Sequence, residues 1–501
     1  MTHLQFHHVS FRYESMTTEL IDHLDCMLSG GWTGVVGANG VGKSTLLQLA
    51  TQELTPDSGH VISPESGVYC PQRTDFAPLG LSNLLDSTEG NAFKIRGQLA
   101  LQDDWVERWQ TLSHGERKRA QIATALWKEP QLLAIDEPTN HLDIEAKRLL
   151  VGALKSYRGV GLLVSHDRDL LDDLCEQCLF MDPPQVDLRP GTYSLGAAQK
   201  TLEDKSQVAK RGEAKRVLNR VQQEQSKRRE LASGSHQLRS KKGLAIKDHD
   251  AKFKKNVARY SGKDGQAGKL LNQLGGRVQR ATETLDSTRT DKQYSLGIWL
   301  DGEESRRPRL FYREAHDMEI GIHKLSVPAL VIGPNDRVAI TGANGSGKSS
   351  LLLNMIECID LPEGKLTYIP QEVSQTESLR IMNEVHNLGD KQLGHLMTIV
   401  SRLGSRPTRL LESKNPSPGE VRKLMLALGI SNRPHLIVMD EPTNHLDLPS
   451  IECLEQALIG CPCALILVSH DERFLGKLTE VSWHISTNVE ADFGFSLRVK
   501  M

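Results

Sequence analysis

The 501-residue chain has no run of about eighteen apolar residues, so nothing in it reads as a membrane-spanning helix. Its first residues, MTHLQFHHVSFRYES, have neither the basic start nor the apolar stretch of a secretory signal, and the expected compartment is the cytoplasm. A disulfide or zinc framework is missing as well. The eight cysteines are scattered, and the one Cys-x-x-Cys, Cys175 and Cys178, has no second pair or nearby histidines to complete four ligands, so buried free thiols are expected. Net charge is nearly absent, at −2, but that figure hides a separation: residues 200–280 hold 22 Lys and Arg against 8 Asp and Glu. The middle segment therefore carries a surplus of +14 and the remainder −16, which points to a polyanionic partner for the middle segment. With 38% hydrophobic and 25% charged residues the chain is too apolar for wholesale disorder. Its length predicts on the order of three units rather than one core.

What is present comes twice. The phrase IDEPTNHLD, Ile135 to Asp143, returns as MDEPTNHLD, Met439 to Asp447. Upstream of each copy lies a Gly-x-x-x-x-Gly-Lys-Ser loop, GANGVGKST from Gly37 and GANGSGKSS from Gly342. Each loop follows a short apolar run, WTGVV or RVAIT, that reads as a buried strand feeding a turn and then a helix, the context such a loop requires. Gly37, Asn39, Gly40 and Gly42 in one loop, and Gly342, Asn344, Gly345 and Gly347 in the other, let backbone N–H groups close around phosphate oxygens. Lys43 and Lys348 reach the β- and γ-phosphates; Thr45 and Ser350 complete the two ATP-binding stretches, while the hydroxyls of Ser44 and Ser349 are suited to Mg²⁺.

The runs LLAI and LIVM place Asp136 and Asp440 at the carboxyl ends of central strands, where open α/β sheets bind ligands. These aspartates are expected to hold Mg²⁺ through its water, and the adjoining Glu137 and Glu441 to polarise the water that attacks in line. Gln72 in YCPQ recurs as Gln371 in YIPQ, and His166 in LVSHD recurs as His470. A lone Gln is usually a surface residue and a lone His a satisfied loop residue, but recurrence in the same order makes metal or water contact by the glutamines and γ-phosphate contact by the histidines the expectation.

This ordered set resembles the ATP-binding-cassette superfamily over about 1–195 and 310–490. The resemblance implies two α/β nucleotide-binding domains of the P-loop kind facing head to tail, each ATP held between one domain's phosphate loop and the other's Ser-x-Gly-Glu segment. Those segments are Ser113-His114-Gly115-Glu116 and Ser417-Pro418-Gly419-Glu420, and Asp143 and Asp447, which end the repeated phrase, join the ATP-binding set. The family's usual form is Leu-Ser-Gly-Gly-Gln/Glu, so His114 and Pro418 depart from it, and Pro416 replaces the leucine. Ser113 with Glu116, and Ser417 with Glu420, have the spacing of capping boxes, so each serine should open a helix whose positive end can face a γ-phosphate. Proline suits the first helical position but removes one N–H, so the site that Ser417 completes should hold γ-phosphate differently from its twin. Tyr13, 24 residues before Gly37, fits the aromatic that supports adenine in this superfamily; the same offset in the second half gives Met318.

Between the cassettes, from Lys200 to Leu231, there is no proline and one glycine, and Ala214, Val217, Leu218 and Val221 fall at helical spacing. Further on, Ala267, Leu271, Leu274, Val278, Ala281 and Leu285 step by 4, 3, 4, 3 and 4, the seam of a coiled coil. Two helices packed as a projecting antiparallel hairpin are expected. The tip would lie within 236–265, where Lys241, Lys242, Lys247, Lys252, Lys254, Lys255 and Arg259 are interleaved with Phe253 and Tyr260. Cations beside aromatics suit phosphate contact and base stacking on structured RNA; a solvated charged spacer is the plainer alternative.

Asn140-His141 and Asn444-His445 inside the repeated phrase, with a basic helical linker between fused cassettes, look like the ABC-F family of ribosome-associated ATPases. That resemblance implies binding at the ribosomal tRNA exit site, a hairpin directed at peptidyl-tRNA (the P-site tRNA) and the peptidyl-transferase centre of ribosomal RNA, closure on ATP and release on hydrolysis by a monomer with no stable membrane partner. Gln72 to Ser113 spans 41 positions and Gln371 to Ser417 spans 46, which leaves no room for the arm that some members insert; nor do the 31 residues after His470 accommodate a C-terminal coiled coil. Armless members include antibiotic-protection factors and others that tune translation. The rival is the energy subunit of a membrane transporter, which needs neither the +14 segment nor the Asn-His pair. The division expected is a first cassette over 1–195, a hairpin over 196–309 and a second cassette over 310–501.

Overall fold

The computed structural model describes residues 3–16, 18–140, 142–183, 185–239, 263–287, 304–321, 323–403, 417–444, 446–488 and 494–500. The chain divides into two compact units, Met1–Gly196 together with Tyr294–Met501, and Ala197–Gln293.

In the first half of the larger unit the strands are β1 (Leu4–Phe11), β2 (Ile21–Leu28), β3 (Gly31–Gly37), β4 (Ser58–Ile62), β5 (Gly67–Cys70), β6 (Leu132–Asp136), β7 (Val160–Val164), β8 (Cys175–Asp182) and β9 (Gln185–Pro190). Their order is β2-β1-β4 in an antiparallel sheet and β5-β6-β7-β3-β8-β9 in a second sheet, parallel except for the β8–β9 hairpin. β6 and β7 are LLAID and VGLLV, buried at every residue. Such continuous runs are what a parallel strand covered on both faces demands.

The second half repeats the plan with β10 (Phe311–Arg313), β11 (His316–Ile320), β12 (His323–Val327), β13 (Leu330–Ile332), β14 (Arg337–Gly342), β15 (Leu366–Ile369), β16 (Leu436–Asp440), β17 (Ala464–Val468), β18 (Val481–Asn488) and β19 (Gly494–Lys500). Here β12 pairs in parallel with β19, which fuses the outer strands into one eight-stranded sheet, β11-β12-β19-β18-β14-β17-β16-β15. The ladders that position the chemistry match: Asp136 pairs with Val164, and Asp440 with Val468. Apolar clusters fill both faces of each sheet, including Leu46, Leu132, Leu162 and Leu179 in the first half and Leu352, Val438, Ile466 and Ile485 in the second.

In the smaller unit one helix runs through Tyr193–Arg239 and another through Lys263–Ser287. At 47 residues the first is longer than the periodicity alone suggested, roughly 70 Å. It begins seven residues before Lys200 because Gly191 adopts φ 95°, a left-handed turn that ends β9, and Tyr193 is buried, with its hydroxyl on Glu452 at 3.1 Å. Leu218 and Val221 are buried and Ala214 half-buried, whereas Val217 is 49% exposed, because it lies to one side of the stripe the others form. In the second helix Leu274 is buried and Val278, Ala281 and Leu285 are half-buried, as a seam requires; the side chains of Ala267 and Leu271 lie outside the described residues. So do the nine RNA-contact candidates between Lys241 and Tyr260, as well as His141 and His445. Among the described residues no helix is long and apolar enough to cross a membrane. Cys175 and Cys178 are buried free thiols.

The β3–β7 ladder sets a tight tolerance. Gly161 faces Trp32, and a Cβ there would meet the indole Cε3 at 2.4 Å, while the indole Nε1 donates to Leu154 O at 3.1 Å and cannot swing away without losing that bond. Gly161→Ala is expected to destabilise the first cassette by about 1–3 kcal/mol through overpacking, read as a lower denaturation midpoint, and Gly152→Ala, in open space, should not.

Candidate ATP-hydrolysing sites

Each phosphate loop leaves a buried parallel strand and enters a helix, Lys43–Ala50 or Lys348–Cys358. The glycine before each lysine is left-handed, Gly42 at φ 99° and Gly347 at φ 92°, and each is pressed by a side chain from the outer strands, so a Cβ would meet Leu20 at 2.9 Å or Ile320 at 2.0 Å. Lys43 Nζ donates to Gly37 O at 2.9 Å and Ala38 O at 3.0 Å, and Lys348 Nζ to Gly342 O and Ala343 O at the same two distances. The amine is thus aimed by the loop's own carbonyls and keeps one donor for an anion.

The metal-site candidates meet in the same way in both halves. Ser44 Oγ donates to Asp136 Oδ2 at 2.6 Å and Ser349 Oγ to Asp440 Oδ2 at 2.6 Å. Asp440 Oδ1 is buried without a hydrogen-bond partner, so a hydroxyl and a carboxylate with a spare oxygen converge there, a donor set that fits a hard divalent cation. Gln72 and Gln371 follow β5 and β15 by two residues, and Gln72 lines the cavity of the first loop.

Glu137 and Glu441 leave the strand ends with positive φ, 46° and 48°, a conformation non-glycine residues seldom adopt. The turn is held by Glu137 N on Val164 O at 2.9 Å and Glu441 N on Val468 O at 2.8 Å. The amides of His166 and His470 donate to Glu137 Oε2 and Glu441 Oε2, both at 3.3 Å. Burial pushes each carboxyl up to about 8, against the pull of Lys43 or Lys348, which is near the range for a group that must take a proton at neutral pH. His470 Nε2 lies 3.1 Å from Asn344 Oδ1, and burial lowers that histidine to about 4, so it is neutral.

The two halves complete each other. A cavity of about 490 Å³ is lined by the first loop, Tyr13, Gln72, Asp136, Glu137 and His166, and also by Ser417 and Gly419 from the second half; this is site I. Across the pair, Ser113, Gly115, Glu116 and Asp143 share a cavity of about 300 Å³ with Asn344 of the second loop, which marks site II. Both signature serines cap their helices as the spacing predicts, each accepting from the glutamate's N–H while the glutamate accepts from the serine's N–H, and Pro418 occupies the first turn. Asp143 and Asp447 register the halves. One oxygen of each caps its own helix, through Ala146 N at 2.9 Å and Ser450 N at 3.0 Å. The other accepts from the opposite loop, Asn39 N to Asp447 at 2.7 Å and Asn344 N to Asp143 at 3.4 Å.

Tyr13 sits at the mouth of site I, its hydroxyl 3.0 Å from Thr45 Oγ1 and its ring edge-on to Phe11. The second half has no matching loop: β11 and β12 are joined by two residues, and Met318 lies within β11, packed on the core.

Two residues escaped the sequence reading. Lys118, 4% exposed, donates to Pro71 O at 2.8 Å and Asp136 O at 2.9 Å, and Arg422, 5% exposed, donates to Asn444 O at 2.9 Å. Each lies five residues after its signature serine, and that matched spacing of a cation was the available signal. They fasten the signature helix to the strand end that carries Asp136 and Glu137, or Asp440 and Glu441.

The folds and the paired sites define a twin-cassette P-loop ATPase. A family model described as ABC transporter matches residues 25–140 and 325–444. The chain is 29% identical to the ribosome protection protein VmlR of Bacillus subtilis over 95% of this chain and 86% of that protein. It is also 29% identical to the tylosin resistance ATP-binding protein TlrC of Streptomyces fradiae, over 95% and 96%, and 24% identical to the erythromycin resistance ATP-binding protein MsrA of Staphylococcus epidermidis, over 96% and 97%. Among solved structures, an archaeal ribosome recycling factor, aABCE1, in complex with a stalk protein matches with a TM-score of 0.60 at 19% identity, over 98% of this chain and 89% of that one, a likeness of fold. The chain is an ATP hydrolase built of two ABC cassettes, and it is similar over nearly its whole length to these resistance and ribosome-protection proteins.

The raised carboxyls make a pH prediction for the nucleotide-free protein. A group at about 8 when folded and 4.5 when unfolded keeps its proton only in the folded state, so stability is full below 4.5 and is lost as pH rises through 8. Glu137→Gln removes the share of this dependence that Glu137 contributes and leaves that of Glu441. In thermal melts the variant should match wild type near pH 4.5 and exceed it by on the order of 5 °C at pH 8.5; an offset that does not change with pH would count against the buried acid.

Proposed function

We propose that this chain is a cytoplasmic, ribosome-bound ATPase whose cassettes close on two ATP molecules and open after hydrolysis, with the basic hairpin acting on peptidyl-tRNA and the peptidyl-transferase centre from the tRNA exit site. The observation that carries this reading is the composite nature of both sites together with the +14 surplus of residues 200–280: nucleotide closes the cassettes, and the charged segment engages a polyanion. Relatives named for ribosome protection and for tylosin and erythromycin resistance support a role in shielding translation from an antibiotic or in tuning it. The chain acts as a monomer of three parts, 1–195, 196–309 and 310–501, and needs no stable membrane partner. Lys241, Lys242, Lys247, Lys252, Lys254, Lys255 and Arg259 supply phosphate contacts to ribosomal RNA or P-site tRNA, and Phe253 and Tyr260 stack on bases.

At each site Mg²⁺ would be held by Ser44, Asp136 and Gln72, or by Ser349, Asp440 and Gln371, where it would neutralise charge on the β- and γ-phosphates. Lys43 and Lys348 bind those phosphates. Glu137 and Glu441 orient the attacking water and take its proton, and His166 and His470 contact the γ-phosphate. Ser417 with Gly419, and Ser113 with Gly115, close the far sides. Tyr13 supports adenine at site I.

Co-sedimentation tests the reading. The Glu137→Gln, Glu441→Gln double variant should lose hydrolysis and accumulate on ribosomes with ATP, whereas wild type should not, and its binding should weaken at least about a hundredfold between 50 and 200 mM salt if roughly six phosphates are contacted. Association with membranes in place of ribosomes would favour a transporter subunit, and hydrolysis surviving in the double variant would overturn the assignment of the two glutamates.

A further inference from the structure

The loops that carry His166 and His470 are held differently. After each histidine an aspartate caps a short helix: Asp167 Oδ1 accepts from Leu170 N at 3.0 Å, and Asp471 Oδ1 accepts from Phe474 N at 2.8 Å. In the first cassette the capping carboxylate is fastened from within, by Lys147 Nζ at 2.7 Å. Lys147 lies four residues after Asp143, and the position four after Asp447 is Ile451, buried and without charge. The second cassette therefore has no cation of its own at that place.

The first cassette supplies one. Arg168, 6% exposed, reaches Asp471 Oδ2 at 3.4 Å and pairs with Glu455, itself 3% exposed and bound on its other oxygen by Lys477 at 2.6 Å. The exchange is reciprocal in sequence, since the residue equivalent to Arg168, two after the histidine, is Glu472, which is exposed. Both histidines also open on one cavity of about 70 Å³, lined by Asn140, Lys147 and His166 from one side and by Glu441, Asn444 and His470 from the other. A guanidinium buried among carboxylates of the opposite cassette keeps its place only while the cassettes are docked; separation would leave Glu455 with Lys477 and Asp471 with its cap alone.

We propose that Arg168 is a positioning residue that acts in trans: by holding Asp471, the aspartate that caps the His470 loop, it makes hydrolysis at site II depend on a cation from the first cassette. The capping Asp167 of the His166 loop is instead held by its own Lys147, and on that helix the opposite cassette's Arg473 reaches only Asp169 and Asp172, further along. This rests on the roles of Glu137 and Glu441, which the double substitution above tests separately.

The experiment measures single-turnover hydrolysis with enzyme in excess of ATP, in a Glu137→Gln background that leaves site II active and a Glu441→Gln background that leaves site I. Arg168→Met should slow site II about tenfold or more with ATP affinity unchanged and leave site I within about twofold, and Arg168→Lys should restore most of the loss. Arg168→Met with Glu455→Met removes the buried pair as a unit, leaves the half-exposed Lys477 free to turn to solvent, and should show the same loss confined to site II. Equal slowing of both sites, no slowing of either, or recovery of site II in the Arg168→Met, Glu455→Met variant would overturn the proposal, the last because the defect would then come from Glu455 deprived of its arginine and not from Asp471.

Discussion

A phosphate loop can surround an anion from one side only. Its N–H groups and helix end face outward from the strand that carries them, and donors for the far side must come from elsewhere. Here they come from the other cassette, and the constraint that makes this work is the divided use of two carboxylates. Asp143 and Asp447 each give one oxygen to the helix that follows the repeated phrase and one to the opposite loop, so the start of that helix and the docking of the two halves are set by the same side chain. Neither half is a finished site, which is the physical reason for carrying the phrase twice.

The groups nearest the phosphates repeat almost without change, including the lysine distances, the serine–aspartate bonds and the positive φ of both glutamates. Difference is confined to the surroundings. Site I has Tyr13 on a loop that site II lacks, and it receives a signature helix opened by proline in place of histidine. The ties across the interface are also one-sided: Arg473 meets Asp172 at 2.8 Å and also pairs with Asp169, while the helix that bears those aspartates answers only with Arg168. Two identical cassettes could not make the Arg473–Asp169 tie, because the two occupy equivalent positions, three after His470 and three after His166, and each would then face its own copy. Divergence has been spent on docking and coupling, where it costs no chemistry.

How much of this was readable from the residues depends on whether a motif carries its own context. The loops, the strand-end carboxylates and the capping serines were legible because spacing alone fixes where Lys43, Asp136 and Ser113 must sit. Lys118, Arg422 and Arg168 were not, since a cation on a helix among other charged residues is usually solvated, and only tertiary packing shows that these three are buried. The failure of the Tyr13 offset to find an aromatic was visible, but its cause, a two-residue link between β11 and β12, was not. The long helix was placed correctly and begun too late, because the anchor that starts it, Tyr193 on Glu452, joins residues 259 positions apart.

The near-zero net charge is a sum over parts that screening keeps independent. At physiological salt an exposed charge is felt over roughly 8 Å, so −16 on the cassettes does not neutralise +14 on the segment between them. A polyanion meets the two signs separately: it is attracted by the one and repelled by the other. Such separation of charge orients encounter with any polyanion before specific contacts form, the basic segment attracted and the acidic cassettes repelled. Had the same charges been mixed evenly along the chain, the composition would be unchanged and the steering lost.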